Sequence, residues 1–254
     1  MPTDSRSVWL MLAHQDDEFA LQCWIKDALA EGLTLHCCYF TQAHNCELDA
    51  QRNRESLKVL QRLGVPASNV FFPGRELNVP DGELQKHLGA IALWIRQNFE
   101  VEEPVRVAVP AWEGGHPDHD ALHAVVIEVC AEMGILDRIR QFPLYNAFDC
   151  RAPWFKVLSP LPQNGPVEVR TVSWMDRWRY LLNCLSYPSQ TISWLGLFPF
   201  VAWHVLHSGR EQCQRVSLAR LTERPHEGPL YYENRNFASW QALQADLAQW
   251  RLTR

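Results

Sequence analysis

The first half of the sequence alternates short apolar runs with amphipathic stretches, and this alternation most constrains the fold. The apolar runs predict buried strands at residues 7–13, 33–41, 70–72 and 105–109. The stretches that follow them predict helices over residues 19–31, 50–63, 82–98 and 117–133. Strands that alternate with helices in this way favour an α/β fold with a Rossmann-like, mostly parallel sheet and helices on both faces.

The second half of the sequence is less regular. It predicts a strand near residues 142–148, a proline-rich stretch over 153–166, a helix around 174–185 and then a tail. We therefore expect one domain over residues 1–254. Its core lies at about 7–150, and an irregular C-terminal extension at about 151–254 shapes the substrate site.

The most apolar run of the chain is residues 192–206. This run contains Pro199 and His204, and it is shorter than the roughly 20 residues that cross a bilayer. We expect it to lie in the core or in the wall of a substrate pocket. A patch that lies on a membrane surface is the alternative.

Composition and charge exclude several classes of protein. The net charge is −5 and the 24 lysines and arginines are scattered, so nucleic acid is not expected as a partner. The first residues lack the pattern of a signal peptide, and the eight cysteines form no CxxC pair. We therefore expect a cytoplasmic protein whose thiols are reduced and lie in the core. A homo-oligomer is left open.

Two clusters of histidine and aspartate, residues 13–18 and 114–119, follow predicted strands. The carboxyl ends of parallel strands meet at one edge of a sheet, where open α/β sheets bind their ligands. His14, Asp17 and His119 can then supply three ligands to one cation and leave a coordination position open, as in catalytic zinc sites.

The remaining residues of the two clusters suit the chemistry of such a centre. Asp16 can accept a proton from water, and His116 can stabilise negative charge on a tetrahedral intermediate. Asp118 can orient His116 and keep it protonated.

Other interpretations of these clusters stay open. Histidines and paired aspartates at helix starts are often only caps. Two histidines and a carboxylate also describe the facial triad of Fe(II) oxygenases, although Asp16 has no evident task there. A protein that uses the pocket only to bind a sugar or a nucleotide is the third interpretation.

The two clusters carry a family resemblance. AHQDDE at 13–18 is similar to the AHPDDE signature of the LmbE/PIG-L family of metal-dependent N-deacetylases, and GGHPDHDALH at 114–123 is similar to its GGHPDH signature. Weaker similarities extend the resemblance over about residues 7–215. They lie at Arg52–Glu55 with Leu63-Gly64, at Pro80-Asp81-Gly82, at Tyr187–Gln190 and at Gly209–Glu211.

The resemblance implies a role for each matched position. His14, Asp17 and His119 would bind Zn²⁺, with Fe²⁺ or another divalent ion as the alternative. Asp16 would be the general base, and His116 would stabilise the oxyanion with Asp118 behind it. Arg52 and Asp81 would face the substrate.

The resemblance also implies a substrate class, an N-acetylated amino sugar whose lipid or nucleotide linkage is left open. Two positions stand outside the family pattern. His123 is not a ligand position in the family, and we expect it to be structural. Gln15 replaces the usual proline, a difference that affects the stiffness of the loop more than the chemistry.

Overall fold

The computed structural model describes residues 6–253, so residues 1–5, on which the prediction about a signal peptide partly depends, lie outside it. The strands are β1 (Ser7–Leu12), β2 (Thr34–Tyr39), β3 (Val70–Phe71), β4 (Pro104–Pro110), β5 (Ile139–Phe142), β6 (Tyr145–Asn146), β7 (Lys156–Val157), β8 (Val167–Thr171) and β9 (Arg210–Arg215). The α-helices are α1 (Gln22–Ala30), α2 (Cys46–Leu63), α3 (Pro73–Glu76), α4 (Leu88–Val101), α5 (Pro117–Glu132), α6 (Trp174–Cys184), α7 (Thr191–His207), α8 (Tyr231–Asn234) and α9 (Trp240–Thr253).

Seven of these strands form one sheet in the order β3-β2-β1-β4-β5-β9-β8. The first five strands of this order pair in parallel, whereas β9 pairs antiparallel with both β5 and β8. The chain moves outward from β1 through β2 to β3 and then returns to the other side of β1 with β4. The mostly parallel α/β fold is therefore confirmed, and its topological switch point lies between β1 and β4.

The core has two layers because side chains of a strand point alternately to the two faces of a sheet. Along β1, Val8, Leu10 and Leu12 join the cluster that packs under α1, α2, α6 and α7. Trp9 and Met11 join the opposite cluster, under α4, α5 and α9. The predicted helices on both faces are thus present.

Two predicted elements in the first half have different bounds, and both differences position the site. Helix α4 begins at Leu88 rather than near residue 82, because the backbone N–H groups of Gly82 and Leu84 donate to Asp118 instead of entering a helix. The strand predicted near 142–148 is split into β5 and β6. The Glu113 carboxylate accepts the backbone N–H groups of Leu144 and Tyr145 and so interrupts the pairing.

The second half contains more regular structure than the sequence predicted. Strands β8 and β9 extend the main sheet, and α7 and α9 occupy the predicted tail. The apolar run at 192–206 lies within α7. This helix buries Trp194, Val201 and Val205 against the core, but its other face is exposed, so the prediction of a core position holds for one face only.

The structure also bears on two further expectations, the burial of the cysteines and the absence of a membrane span. Five cysteines are buried as expected, but Cys46 is exposed at the start of α2, and Cys150 and Cys213 are only partly buried. All eight are free thiols. Within residues 6–253, no helix has both the length and the hydropathy that a membrane span requires.

Candidate metal centre and active site

His14, Asp17 and His119 converge at the carboxyl ends of β1 and β4. His14 follows β1, and His119 lies in the first turn of α5, which follows β4. His119 Nε2 lies 3.1 Å from His14 Nδ1 and 3.1 Å from Asp17 Oδ1. His14 Nδ1 lies 3.8 Å from Asp17 Oδ2. All three side chains are buried, so three potential ligand atoms surround one point.

Backbone and carboxylate contacts fix the direction of these ligand atoms. Asp17 Oδ2 accepts the backbone N–H groups of Ala13 at 3.0 Å and of His14 at 2.8 Å, which leaves Oδ1 directed at His119. His14 Nε2 lies 3.1 Å from Asp118 Oδ2 and 3.3 Å from Asp81 Oδ1. A metal-binding histidine commonly donates its outer ring nitrogen to a carboxylate, which leaves the inner nitrogen free for the metal.

The charges around this point suit a cation. Burial lowers the pKa of His14, but the charge of Asp81 and contacts with Asp118 and Asp17 raise that pKa well above its ordinary value. Burial raises the pKa of Asp17, yet His119 and His14 outweigh it and hold this pKa far below its usual range. Two imidazole nitrogens and an ionised carboxylate in a negative pocket fit the donor set that zinc and ferrous iron accept.

A second group of potential ligand atoms overlaps the first and consists of His14, Asp81, His116 and Asp118. The Asp118 carboxylate in this group already accepts two backbone N–H groups, from Gly82 at 2.6 Å and from Leu84 at 3.0 Å. Asp81 is paired with Arg52. Because these carboxylates are engaged elsewhere, we take His14, Asp17 and His119 as the candidate metal centre.

Asp16 lies beside the candidate metal centre in an uncommon backbone conformation. Its φ of 127° lies in a region that residues with side chains rarely adopt. Trp194 Nε1 donates to Asp16 Oδ2 at 3.0 Å, and the Asp16 N–H donates to Glu18 Oε2 at 3.0 Å. Burial and the charges of Asp17 and Glu18 raise the pKa of Asp16 well above its ordinary value. The fold thus holds a proton-attracting carboxylate that is close enough to Asp17 and His14 to interact with their charges.

His116 is the N-cap of α5, and its contacts differ from the predicted ones. Its Nδ1 accepts the backbone N–H of Asp118 at 3.2 Å, whereas the Asp118 carboxylate contacts His14 and lies 3.8 Å from His116. Burial and the charge of His14 lower the pKa of His116 to about 4, although the charge of Asp118 raises it, and the role of Asp118 in keeping this histidine protonated stays a prediction. A neutral His116 whose Nδ1 is an acceptor carries its proton on Nε2.

Arg52 and Asp81, the two residues predicted to face the substrate, pair with each other next to His14. Arg52 Nη1 donates to Asp81 Oδ2 at 3.0 Å, while the other Asp81 oxygen faces His14. Arg52 Nε is buried and has no hydrogen-bond partner among residues 6–253. The pair therefore connects α2 to the candidate metal centre and leaves the guanidinium with an unused donor.

Gln15, at the position where the similar family has proline, is held by side-chain hydrogen bonds. Its Nε2 donates to Asn53 Oδ1 at 2.7 Å, and its backbone carbonyl accepts from Gln190. These bonds connect the loop after β1 to α2 and to the turn before α7. They restrain the loop that a proline would otherwise stiffen.

Residues of the second half contact the segments of the first half that carry the site. Tyr187 donates to Glu18 at 2.8 Å, and Ser189 donates its backbone N–H and its hydroxyl to Glu55 of α2. Thus the Arg52–Glu55 and Tyr187–Gln190 segments, which carry parts of the family resemblance, meet in space.

Gly209, in a third segment of the resemblance, lies against the buried guanidinium of Arg177. A Cβ added at Gly209 would overlap that guanidinium.

Sequence reasoning missed three aromatic residues at the site. They are Trp194, which bonds to Asp16, Tyr145, whose ring centroid lies 5.7 Å from that of His119, and Phe237, whose centroid lies 6.2 Å from that of His116. The one sequence signal for Tyr145 is the Gly114-Gly115 pair, since an added Cβ on Gly115 would overlap the Tyr145 carbonyl.

His123, which we expected to be structural, has its Nδ1 2.8 Å from the Pro110 carbonyl oxygen and belongs to neither group of potential ligands.

Several solved structures with the same fold are described as deacetylases. A deacetylase of the teicoplanin biosynthesis pathway, in complex with bog, is 17% identical with a TM-score of 0.64, over 83% of this chain and 98% of that one. A zinc-inhibited form of teicoplanin deacetylase Orf2 is 17% identical with a TM-score of 0.63, over the same shares, 83% and 98%. N,N'-diacetylchitobiose deacetylase from Pyrococcus horikoshii is 16% identical with a TM-score of 0.61, over 88% of each chain. At these identities the likeness shows the fold alone.

Comparison with curated protein sequences finds no match. Comparison with protein families finds one described as PIG-L, GlcNAc-PI de-N-acetylase, over residues 9–130. The matched segment runs from β1 into α5 and includes both histidine and aspartate clusters. Residues 9–130 of this chain therefore match the PIG-L (LmbE-like) family, the same family that the two signatures resemble.

Proposed function

We propose that the chain is a zinc-dependent hydrolase that removes an N-acetyl group from an amino-sugar-containing substrate. The observation that carries the proposal is the convergence of His14, Asp17 and His119 beside the Asp16 carboxylate, within the matched family domain. Fe²⁺ or another divalent ion is the alternative occupant. In this proposal residues 1–254 act as one domain, in which the part after residue 150 shapes the substrate site.

The proposed reaction is hydrolysis of one amide bond. A metal ion held by the three ligands supplies Lewis acidity and lowers the pKa of water in the site. Asp16 accepts a proton from water as the water oxygen bonds to the amide carbon. His116 donates a hydrogen bond from Nε2 to the carbonyl oxygen as negative charge develops there.

The second half of the reaction breaks the C–N bond. The proton on Asp16 passes to the leaving nitrogen, so the products are acetate and a free amine.

Two further residues have supporting roles in this proposal. Asp118 acts as a positioning residue, since its carboxylate contacts His14 and holds the turn at Gly82. In this proposal Arg52, which pairs with Asp81, binds a hydroxyl or phosphate group of the sugar conjugate.

The amino-sugar class is supported by the family description and by the neighbour described as a diacetylchitobiose deacetylase. A lipid or nucleotide linkage of the sugar and a cytoplasmic location stay predictions.

The experiment that tests the function is a measurement of acetate release from N-acetylglucosamine and its conjugates. Protein stripped of metal is compared with the same protein after Zn²⁺ or Fe²⁺ has been restored. We expect release only with metal. Oxygen uptake without acetate would replace the proposal with the Fe(II) oxygenase. Tight sugar binding without turnover, equal in both preparations, would replace it with a binding protein.

A further inference from the structure

Helices α6 and α7 form an antiparallel pair whose outer face is apolar. Arg177 of α6 donates to the Leu206 carbonyl near the end of α7 at 2.9 Å, which fixes the two helices side by side. The inner residues of both helices, such as Tyr180 and Val201, belong to the same core cluster. The outer faces of both helices therefore point away from that cluster, toward the same side of the molecule.

Each outer face is a stripe of exposed apolar side chains at helical spacing. On α6 and its C-cap the stripe consists of Trp174, Trp178, Leu182 and Leu185, which are 59–64% exposed. On α7 the stripe consists of Ile192, Leu195, Pro199 and Trp203, of which Ile192 is 88% exposed. We call these eight residues the outer stripe.

The outer stripe is unusual for the surface of a globular protein. Within residues 6–253, eight of the sixteen exposed large hydrophobic residues lie on α6, its C-cap and α7. The four tryptophans among the sixteen lie on these helices or, for Trp154, beside Phe200 of α7. Exposed apolar side chains concentrated on one pair of helices indicate an interaction site, because their exposure costs free energy in water.

A cavity with excess positive charge adjoins the outer stripe at Leu182. The cavity has a volume of about 590 Å³, and Lys26, Arg62 and Arg179 line it together with one acidic residue, Asp176. Lys26 and Arg179 share that carboxylate, while Arg62 donates to the neutral Ser186 hydroxyl at 2.8 Å. Three cations and one anion leave two positive charges beside an apolar surface.

The wider segment also has a small excess of positive charge. Residues 174–207 contain one acidic residue and two arginines, although the whole chain has a net charge of −5. An apolar face with exposed tryptophans, bordered by cations and poor in carboxylates, is complementary to a bilayer with anionic headgroups. Tryptophan is enriched at the membrane interface, and juxtamembrane cations attract acidic lipids.

We propose that the outer stripe docks on the surface of an anionic lipid bilayer, with lipid phosphate groups at the cavity of Lys26, Arg62 and Arg179. The helix pair lies in the plane of the interface, and its apolar side chains enter the acyl boundary. This inference does not depend on the proposed reaction, since lipid binding is measured without turnover.

Vesicle flotation of the full chain tests the proposal. Phosphatidylcholine vesicles are compared with vesicles that also contain phosphatidylglycerol, and we expect binding that needs the acidic lipid and weakens with salt. Trp178→Ser with Ile192→Ser, one change on each helix, should weaken binding at least about tenfold. The matched control is Leu93→Ser with Leu252→Ser, since both leucines are exposed outside the outer stripe. This control should bind as the wild type does.

A second set of variants tests the positively charged cavity. Arg62→Gln with Arg179→Gln should weaken binding to acidic vesicles about tenfold or more. Lys86→Gln, an exposed lysine outside the cavity, should leave binding unchanged. At matched ionic strength, inorganic phosphate should release no more protein from acidic vesicles than chloride does. Greater release by phosphate would identify the cavity as a site for the free anion and would overturn its assignment to lipid headgroups.

A measurement on the wild-type chain keeps the proposal testable if the variants fail to fold. Lipids brominated in their acyl chains should quench part of the tryptophan fluorescence. Absence of both flotation and quenching would overturn the proposal. A dimer in sedimentation that Trp178→Ser with Ile192→Ser dissociates, without any lipid binding, would show instead that a second copy covers the outer stripe.

Discussion

The two halves of the chain depart from ordinary burial in opposite directions. In the first half, ionisable side chains such as His14, Asp17 and His119 are buried, where charge is normally excluded. In the second half, α6 and α7 expose apolar side chains that are normally buried. Buried polar groups and exposed apolar patches are the informative exceptions to burial. We propose one partner for each exception, a cation in the first half and an apolar surface in the second.

The two exceptions meet on helix α7. Its inner face presents Trp194 to Asp16, and its outer face presents Ile192, Leu195 and Trp203 to solvent. One helix therefore completes the candidate active site and carries part of the outer stripe. Variants that act on one half without the other test whether the two halves are separate in function.

Removal of a ligand from the first half has the largest expected effect. We expect His119→Ala to lower acetate release about a thousandfold or more, because a centre with two ligands no longer holds its metal. Metal content by elemental analysis and initial rates check this. His123→Asn, one turn along the same helix, is the control and should keep both metal and activity. Full metal content in His119→Ala would contradict the ligand assignment.

The pH dependence of stability tests a buried carboxylate of the second half. Burial raises the pKa of Glu211 to about 7, although the backbone N–H groups of Cys23 and Trp24 donate to it. Because the pKa of Glu211 in the folded protein lies above its ordinary value of 4.5, protonation of Glu211 stabilises the fold. This contribution is complete below pH 4.5 and is lost as the pH rises through about 7. Relative to the Glu211→Gln variant, the wild type should lose about 3 kcal/mol of its free energy of unfolding between these two pH values. Denaturant titrations at several pH values measure it, and a constant difference would contradict it.

Substitutions at two glycines of the second half distinguish a packed position from an exposed one. Gly209→Ala should lower the free energy of unfolding by about 2 kcal/mol, because its φ of 54° is positive and the new Cβ overlaps Arg177. Gly196→Ala, in the interior of α7 with open space around it, should raise stability by about 0.5–1 kcal/mol. Thermal unfolding monitored by circular dichroism distinguishes the two. Equal effects would show that the Arg177 contact does not matter.

An effect smaller than those of His119→Ala and Glu211→Gln tests the link between the halves. We expect Trp194→Phe to lower kcat about tenfold with little change in KM, because Asp16 loses the donor that orients it. Trp203→Phe changes an exposed tryptophan of the same helix and should leave both constants unchanged. A loss in KM alone would show that Trp194 contacts the substrate rather than the base.

The sequence predicted the parallel part of the sheet well because local patterns specify it. Buried strands are short apolar runs, and Gly64 ends α2 in a left-handed conformation that favours glycine. The positions of His14 and His119 followed from the same reasoning, since each histidine lies after a strand. The convergence of the two loops then depends only on the neighbouring positions of β1 and β4.

The missed features depend on contacts between distant segments. The actual partner of Asp118 is His14, 104 positions away, and no local pattern indicates it. Trp194 reaches Asp16 only because α7 packs over the site. The antiparallel strands β8 and β9 were missed because Arg210–Arg215 is polar and does not resemble a buried strand.

The central claim is that Asp16 is the base beside a metal bound by His14, Asp17 and His119. The most direct measurement is the kcat for acetate release of Asp16→Asn, at equal metal content, against that of the wild type. We expect a fall of about a hundredfold to ten-thousandfold with the metal retained. An Asp16→Asn variant that keeps its metal and the wild-type rate would contradict the claim.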